Sequence, residues 1–157
     1  YNSPLQALMA CSIATWGDAP RAIPVMHYTA HYWRQRVLPV WRQVMGAHGG
    51  WHEGGEYVGI GIGQAVYQLP AMWRKATGED LFVTEPGLRG FLDFLVYRQR
   101  PDGTYFRWGD AGYFDRNAPD RVPLALEYRH AAAYSLGGCP REVAPTAWPW
   151  GPLPDPS

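Results

Sequence analysis

Apolar residues recur along most of the chain at the three- and four-residue spacing of amphipathic helices. This periodicity predicts five helical stretches, which cover residues 3–17, 20–45, 56–76, 87–99 and 119–137. Pro24 and Pro39 fall inside the second stretch. They are expected to kink or interrupt it, because proline lacks the amide hydrogen that a helix interior uses.

The first helix carries a recognisable start signal. Ser3 is expected at the N-cap with Pro4 after it, and Gln6 then completes a capping box, in which each side chain accepts a backbone amide hydrogen from the other end of the box. Asn2 precedes this cap, so its side chain is not needed for capping the helix. That position favours a functional role for Asn2.

The order of the elements indicates an all-α fold. Strand patterns between the helices are absent, apart from a short segment at 104–108 that is expected to be extended. Because stacked helix pairs build solenoids and α/α toroids, we predict antiparallel helical hairpins over residues 1–138 that form part of an incomplete α/α toroid. Residues 139–157 hold six prolines and are expected to be an irregular tail, or a linker toward an absent domain.

The charge balance excludes some partners. Lys+Arg and Asp+Glu are both 14, so the chain has no basic field for nucleic acid or an anionic membrane. No apolar run reaches the length of about 18 residues that a transmembrane helix needs. The chain starts at Tyr1 without a signal-peptide pattern. We therefore expect a segment of a longer protein, with exposed apolar surface that supports self-association.

The aromatic content is high, with eight Trp and ten Tyr. Trp is more often a core residue than a ligand contact, since it is highly buried on average. Aromatic rings also stack on the apolar C–H face of sugars. The composition is therefore compatible with a carbohydrate ligand without requiring one.

The segment 49–57 concentrates the chemistry, because it reads Gly-Gly-Trp-His-Glu-Gly-Gly-Glu-Tyr. Glycines at a loop-to-helix junction allow close approach of a ligand to the backbone, and functional residues concentrate on such loops. A tight turn, with Glu53 and Glu56 favouring a helix N-terminus, explains the same residues equally well.

This segment resembles the Gly-x-Trp/Tyr-x-Glu-Gly-x-x-Tyr motif of heparinase II/III-like polysaccharide lyases. Two further segments resemble the same family in the same order. Tyr-Asn-Ser at 1–3 opens a helix that ends in Gly-Asp at 17–18, and Arg-Pro-Asp-Gly at 100–103 is followed by Gly-Asp at 109–110. The resemblance covers roughly residues 1–116.

The resemblance implies β-elimination at a uronic acid residue of an acidic polysaccharide, with no cofactor and no metal. It places the family's catalytic tyrosine on Tyr57 and its carboxylate-neutralising asparagine on Asn2. Ser3 stands where several members have a histidine, so the base is not assigned. The resemblance also implies a β-rich C-terminal domain that is not in this chain, and a periplasmic or secreted location. The chain is therefore expected to be a fragment of the lyase that is inactive alone.

Four residues around the motif are predicted to bind the substrate, namely Trp51, His52, Glu53 and Trp108. Together with Asn2 and Tyr57 they are expected to line one concave edge. Two alternatives stay open: an α/α-toroid glycoside hydrolase that uses Glu53 or Glu56 with Asp110, and a non-catalytic carbohydrate-binding helical domain.

Two further patterns have a structural explanation. The histidines at 27, 31, 48 and 52 are too loosely arranged to predict a metal site. The Gly-Ile-Gly-Ile-Gly run at 59–63 lacks the third glycine and the preceding strand of a dinucleotide-binding loop.

Overall fold

A computed structural model describes residues 2–46, 48–100, 102, 104–109, 122–130 and 133 of the chain. Within these residues 72% are helical and none belongs to a strand, which confirms the predicted all-α class. The predicted tail at 139–157 lies outside the described residues. Closure of the helices into a toroid stays a prediction.

The described helices are, in chain order, α1 (Asn2–Ala14), α2 (Ala22–Tyr32), α3 (Leu38–Met45), α4 (Gly55–Tyr57), α5 (Gly63–Thr77), α6 (Leu81–Thr84), α7 (Pro86–Tyr97) and α8 (Val122–Glu127). Two π-helical turns, Trp33–Val37 and Val58–Ile62, join α2 to α3 and α4 to α5. Two long helical rods therefore span 22–45 and 55–77.

The start of α1 differs from the predicted capping box. The helix already includes Asn2, so Ser3 lies inside its first turn. The amide of Gln6 does not reach back to the helix start but donates a hydrogen bond of 2.7 Å to Gln68 Oε1 on α5. The capping-box prediction is wrong, because packing of α1 on α5 offers this side chain a partner that local sequence cannot reveal.

Neither proline breaks the second rod. Pro24 lies in the first turn of α2, where amide hydrogens have no intrahelical acceptor and none is lost. Pro39 directly follows the π-helical turn, in which the Leu38 amide bonds the Trp33 carbonyl five residues earlier. This wider turn accommodates a ring that would clash with a carbonyl in a regular helix, so the expected interruption becomes a local widening.

The predictions for the third and fourth helices are confirmed to within two residues. Gly78 ends α5 in the left-handed conformation at φ 79°, which is common after a helix C-terminus. The predicted apolar face of α7 is buried at Leu88, Phe91, Leu92 and Leu95.

The fifth helix is shorter than predicted. It ends at Glu127, and Arg129 has a positive φ of 51°. Because a left-handed residue cannot continue a helix, the predicted stretch is broken at 128–130. Of the remainder only Ala133 is described, and it is again helical.

The core lies between the two rods and α7. Trp33 and Trp41 meet at its centre with ring centroids 5.2 Å apart in an edge-to-face arrangement. Helix α1 packs against α2 and α5, and α3 packs against α7. Val40, an apolar residue of the second predicted helix, is 48% exposed, because the π-helical turn shifts the angular position of the residues that follow it.

Large apolar side chains remain exposed along α1, α2 and the loop between them, namely Leu8, Trp16, Ile23, Val25 and Tyr28. Self-association through such a surface stays a prediction. Among the described residues, none of the helices has both the length and the apolar character needed to cross a bilayer.

Candidate functional site

The loop that precedes α4 is seated directly on the backbone of α7. Gly49 adopts φ 73°, and a β-carbon at this position would stand 1.8 Å from the carbonyl carbon of Gly90 and from the amide nitrogen of Phe91. Only glycine tolerates such an approach. The glycine-rich composition of 49–55 therefore serves close packing at this position.

A second contact holds the same loop from the other side. Gly54 and Gly109 form an antiparallel bridge, and the Gly55 amide donates a hydrogen bond of 3.3 Å to the Trp108 carbonyl. A β-carbon on Gly109 would stand 3.0 Å from the Glu53 carbonyl oxygen. Two segments that are about a third of the chain apart are thus joined into one structural unit.

The segment at 104–109 is shaped by a turn after α7. The Asp102 carboxylate accepts hydrogen bonds from the Thr104 amide at 3.0 Å and from the Thr104 hydroxyl at 2.6 Å. Backbone bonds then link Arg100 to Thr104 and Phe106 to Arg98. Asp102 therefore stabilises this turn, whereas Asp110, the candidate hydrolase carboxylate, lies outside the described residues.

Trp51 supports this unit from inside. Its ring is only 9% exposed, and its indole N–H donates a hydrogen bond of 3.0 Å to Glu53 Oε2. The ring also lies 5.1 Å from that of His52. So little exposed ring leaves Trp51 poorly placed to stack on a sugar, and its contacts instead orient two exposed neighbours.

The other predicted residues of the loop are presented to solvent. His52 and Glu53 are exposed, and Tyr57 is 43% exposed at the end of α4. Tyr57 immediately precedes the π-helical turn Val58–Ile62, a type of distortion that is frequent at functional sites.

Asn2 belongs to α1, whereas Tyr57 belongs to α4. It is half-buried at the start of α1, and α1 contacts the π-helical turn that follows Tyr57. No hydrogen bond between the described side chains joins Asn2 to Tyr57. The structure thus groups Trp51, His52, Glu53 and Trp108 through the bridged loops, and it leaves the meeting of Asn2 and Tyr57 a prediction.

Trp108 is half-buried beside this loop. Its ring packs edge-to-face against Phe94, with centroids 5.6 Å apart. The guanidinium of Arg98 lies 5.9 Å from the Trp108 ring and 4.3 Å from the Tyr105 ring. Because Arg98 is buried, a permanent positive charge is held beneath this part of the site.

Sequence reasoning missed an exposed aromatic residue in the same segment. Phe106 is 56% exposed, and the guanidinium of Arg100 lies 4.9 Å above its ring. The available signal was the concentration of three aromatic residues and one arginine at 105–108.

A cavity of about 360 Å³ lies elsewhere, between α3 and the start of α7. The Arg42 side chain lines it and donates to Glu85 through Nε at 2.9 and 3.1 Å. These hydrogen bonds raise the pKa of Arg42. None of the predicted site residues lines this cavity.

Among the described residues, no group of three or more His, Cys, Asp or Glu side chains is arranged to hold a metal ion. Comparison of the chain with protein-family models, with curated proteins and with solved structures finds no match. The chemistry of the bridged loops is therefore the basis of the function proposed below.

Proposed function

We propose that this chain is the sugar-facing helical part of a polysaccharide lyase, which cleaves a uronic-acid-containing polymer by β-elimination. The observation that carries the proposal is the contrast within the loop at 49–57. Its backbone is held on two sides by glycine contacts, yet His52, Glu53 and Tyr57 remain exposed. Polar groups on a rigidly supported loop are typical of binding and catalytic sites.

The reaction needs three contributions. A base removes the C5 proton of the uronate, a hydrogen-bond donor stabilises the charge that spreads into the carboxylate, and an acid protonates the departing glycosidic oxygen. A phenol with a reference pKa near 10 serves as an acid at neutral pH. We assign this acid to Tyr57, which has solvent access for a substrate oxygen.

Stabilisation of the charge that develops on the uronate carboxylate is assigned to Asn2. Its amide N–H groups can donate to a carboxylate without adding charge, which suits the enolate-like transition state. Packing of α1 on the π-helical turn after Tyr57 supports this assignment. The base is left unassigned in this chain.

Substrate contacts are assigned to the loop and its bridge partner. His52 and Glu53 can hydrogen-bond sugar hydroxyls, and the half-buried ring of Trp108 can stack on a pyranose. Trp51 positions Glu53 through its indole N–H. Under this assignment His52, Glu53 and Trp108 contact the sugar, and Trp51 orients Glu53.

Incubation of the intact enzyme with oligouronates of defined length tests the proposal through the product formed. A lyase leaves an unsaturated uronate that absorbs near the far-ultraviolet edge, whereas a glycoside hydrolase releases reducing ends without that absorbance. Binding without either product would assign the chain to carbohydrate recognition alone.

The role of Asn2 can be tested in the same assay. Asn2→Ala is expected to lower turnover by a factor on the order of 10²–10³, because one donor to the developing charge is lost. Asn2→Asp has nearly the same size and should lower turnover further by placing a negative charge beside the carboxylate. Unchanged turnover in both variants would remove Asn2 from the mechanism.

A further inference from the structure

Several of the described arginines form ion pairs. Arg34, Arg42 and Arg74 bind carboxylates of Glu79, Glu85, Asp80 and Glu127. Arg100 forms no ion pair with the described acidic residues, and its guanidinium lies over the exposed ring of Phe106 at 4.9 Å.

The stacked pair presents two kinds of binding surface at once. Phe106 is 56% exposed although the guanidinium covers part of its ring, so a wide apolar surface stays accessible. A guanidinium that lies over a ring and forms no ion pair retains N–H donors to which a carboxylate can bind through two parallel hydrogen bonds.

The backbone connects this pair to the candidate site. The Phe106 amide donates to the Arg98 carbonyl at 3.1 Å, and the Trp108 carbonyl accepts from Gly55 in the loop at 49–57. The three positions 106, 107 and 108 extend over roughly 7 Å along an extended chain, a distance comparable to one or two sugar rings. A ligand of one or two sugar rings that contacts Trp108 and extends along this segment would therefore reach Phe106 and the guanidinium over its ring.

We propose that Arg100 and Phe106 form a subsite for an anionic pyranose, in which Phe106 stacks on the ring and Arg100 binds the uronate carboxylate. The proposal rests on the proposed function and deepens it, since it names the residues that select an acidic polymer. It assigns a binding role and no part in the bond-breaking step.

The test uses two matched ligands, an oligouronate and the same oligomer with its carboxyl groups reduced to alcohols. Both keep the pyranose rings, and only the first has the charge. Binding is measured by calorimetry on the full chain at low and at moderate salt. The wild-type protein is expected to bind the oligouronate roughly tenfold more tightly, the usual scale for a hydrogen bond to a charged group.

Two variants separate the contributions. Arg100→Gln should remove the tenfold preference and leave the affinity for the reduced oligomer unchanged. Phe106→Leu should weaken both ligands equally by about three- to tenfold, because stacking does not depend on charge. Arg36→Gln and Tyr28→Leu are the matched controls, because both residues are exposed. The exposed fraction of Tyr28 is 57%, similar to the 56% of Phe106.

The outcomes distinguish this subsite from the proposed function. If wild-type protein cleaves oligouronates while both variants keep wild-type affinity and preference, the subsite is overturned and the lyase assignment stands. If wild-type protein neither binds nor cleaves oligouronates, both are overturned. Circular dichroism and thermal unfolding of each variant exclude loss of fold as the cause of weaker binding.

Discussion

The two ends of the rod at 55–77 show opposite use of polar side chains. At its C-terminal end, Arg74 binds the Glu127 carboxylate at 2.7 and 3.0 Å and Asp80 at 3.1 Å. At its N-terminal end, His52, Glu53 and Tyr57 are exposed. Glu53 accepts a hydrogen bond from the indole N–H of Trp51. The ends lie roughly 30 Å apart, at 1.5 Å per residue.

The C-terminal end uses charge to join separate helices. Arg74 connects α5 to α8, and its guanidinium also lies 4.9 Å from the Phe82 ring. Hydrogen bonding to Glu127 raises the pKa of Arg74 far above its ordinary range. Glu79 adds a second junction, since it accepts from both Trp73 at 2.7 Å and Arg34 at 2.8 Å.

The polar side chains at the C-terminal end are therefore expected to contribute to stability, and those at the N-terminal end to remain available for a ligand. Polar groups that satisfy one another contribute to folding and leave little capacity for a ligand, whereas exposed groups on a supported loop contribute little to folding and retain that capacity. Substitutions at the two ends should therefore have different consequences, which the following variants test in order of decreasing effect.

The largest loss of stability is expected from Gly49→Ala, which tests the contact between the loop at 49–57 and α7. The new β-carbon would overlap the Gly90 and Phe91 backbone and strain a positive φ. We expect the free energy of unfolding in urea to fall by about 2–5 kcal/mol, from the sum of overpacking and backbone strain. Gly50→Ala is the control, because its β-carbon meets nothing within 4 Å. Equal effects of the two changes would show that the loop is not seated on α7.

Tyr57→Phe tests the exposed end directly. The change removes the proposed acid and keeps the ring, so turnover of oligouronate should fall by a factor on the order of 10² or more, while affinity and unfolding free energy stay nearly unchanged. Tyr28→Phe removes another exposed hydroxyl and should keep full turnover. Full activity in Tyr57→Phe would exclude Tyr57 as the acid.

Arg74→Met should produce the reverse pattern at the structural end. Loss of the paired hydrogen bonds to Glu127 is expected to lower the free energy of unfolding by about 1–2 kcal/mol, a range reduced for the 33% exposure of the arginine side chain. Turnover per folded molecule should not change. Arg36→Met provides a control at an exposed arginine. A turnover defect without loss of stability would contradict the division between the two ends.

The smallest effect is expected for Tyr128→Phe. Its hydroxyl donates a hydrogen bond of 3.0 Å to the Phe82 carbonyl, and loss of this bond should cost about 1 kcal/mol at neutral pH. Burial raises the pKa of Tyr128, and the nearby charge of Glu127 adds to the effect. The folded state thus holds the phenolic proton more tightly than the unfolded state.

The sign of the pH dependence follows from this shift. The contribution of the neutral phenol to stability is fully present below the unfolded pKa of about 10 and is lost as the pH rises toward the folded value. Urea unfolding between pH 8 and about 11 should therefore show a steeper alkaline loss of stability in wild-type protein than in Tyr128→Phe. Parallel curves would contradict the burial of this hydroxyl.

Much of the fold could be predicted because its signals are local. The apolar spacing that predicts α7 depends only on neighbours in sequence, and the bounds of α7 were predicted to within two residues. Predictions failed where a distant partner decided the outcome. Gln6 bonds Gln68 instead of capping its own helix. The fifth helix ends early because Arg129 adopts a positive φ, which the apolar periodicity does not reveal.

The sequence by itself determined the all-α class, the approximate extent of the main helices and the loop in which titratable side chains concentrate, because periodicity and glycine placement act within a few residues. Only the tertiary structure decided which of those side chains remain exposed. Seating of Gly49 on α7 and the Gly54–Gly109 bridge direct Trp51 inward and leave His52, Glu53 and Tyr57 at the surface. Such contacts join residues that are tens of positions apart, and their geometry depends on how the helices pack.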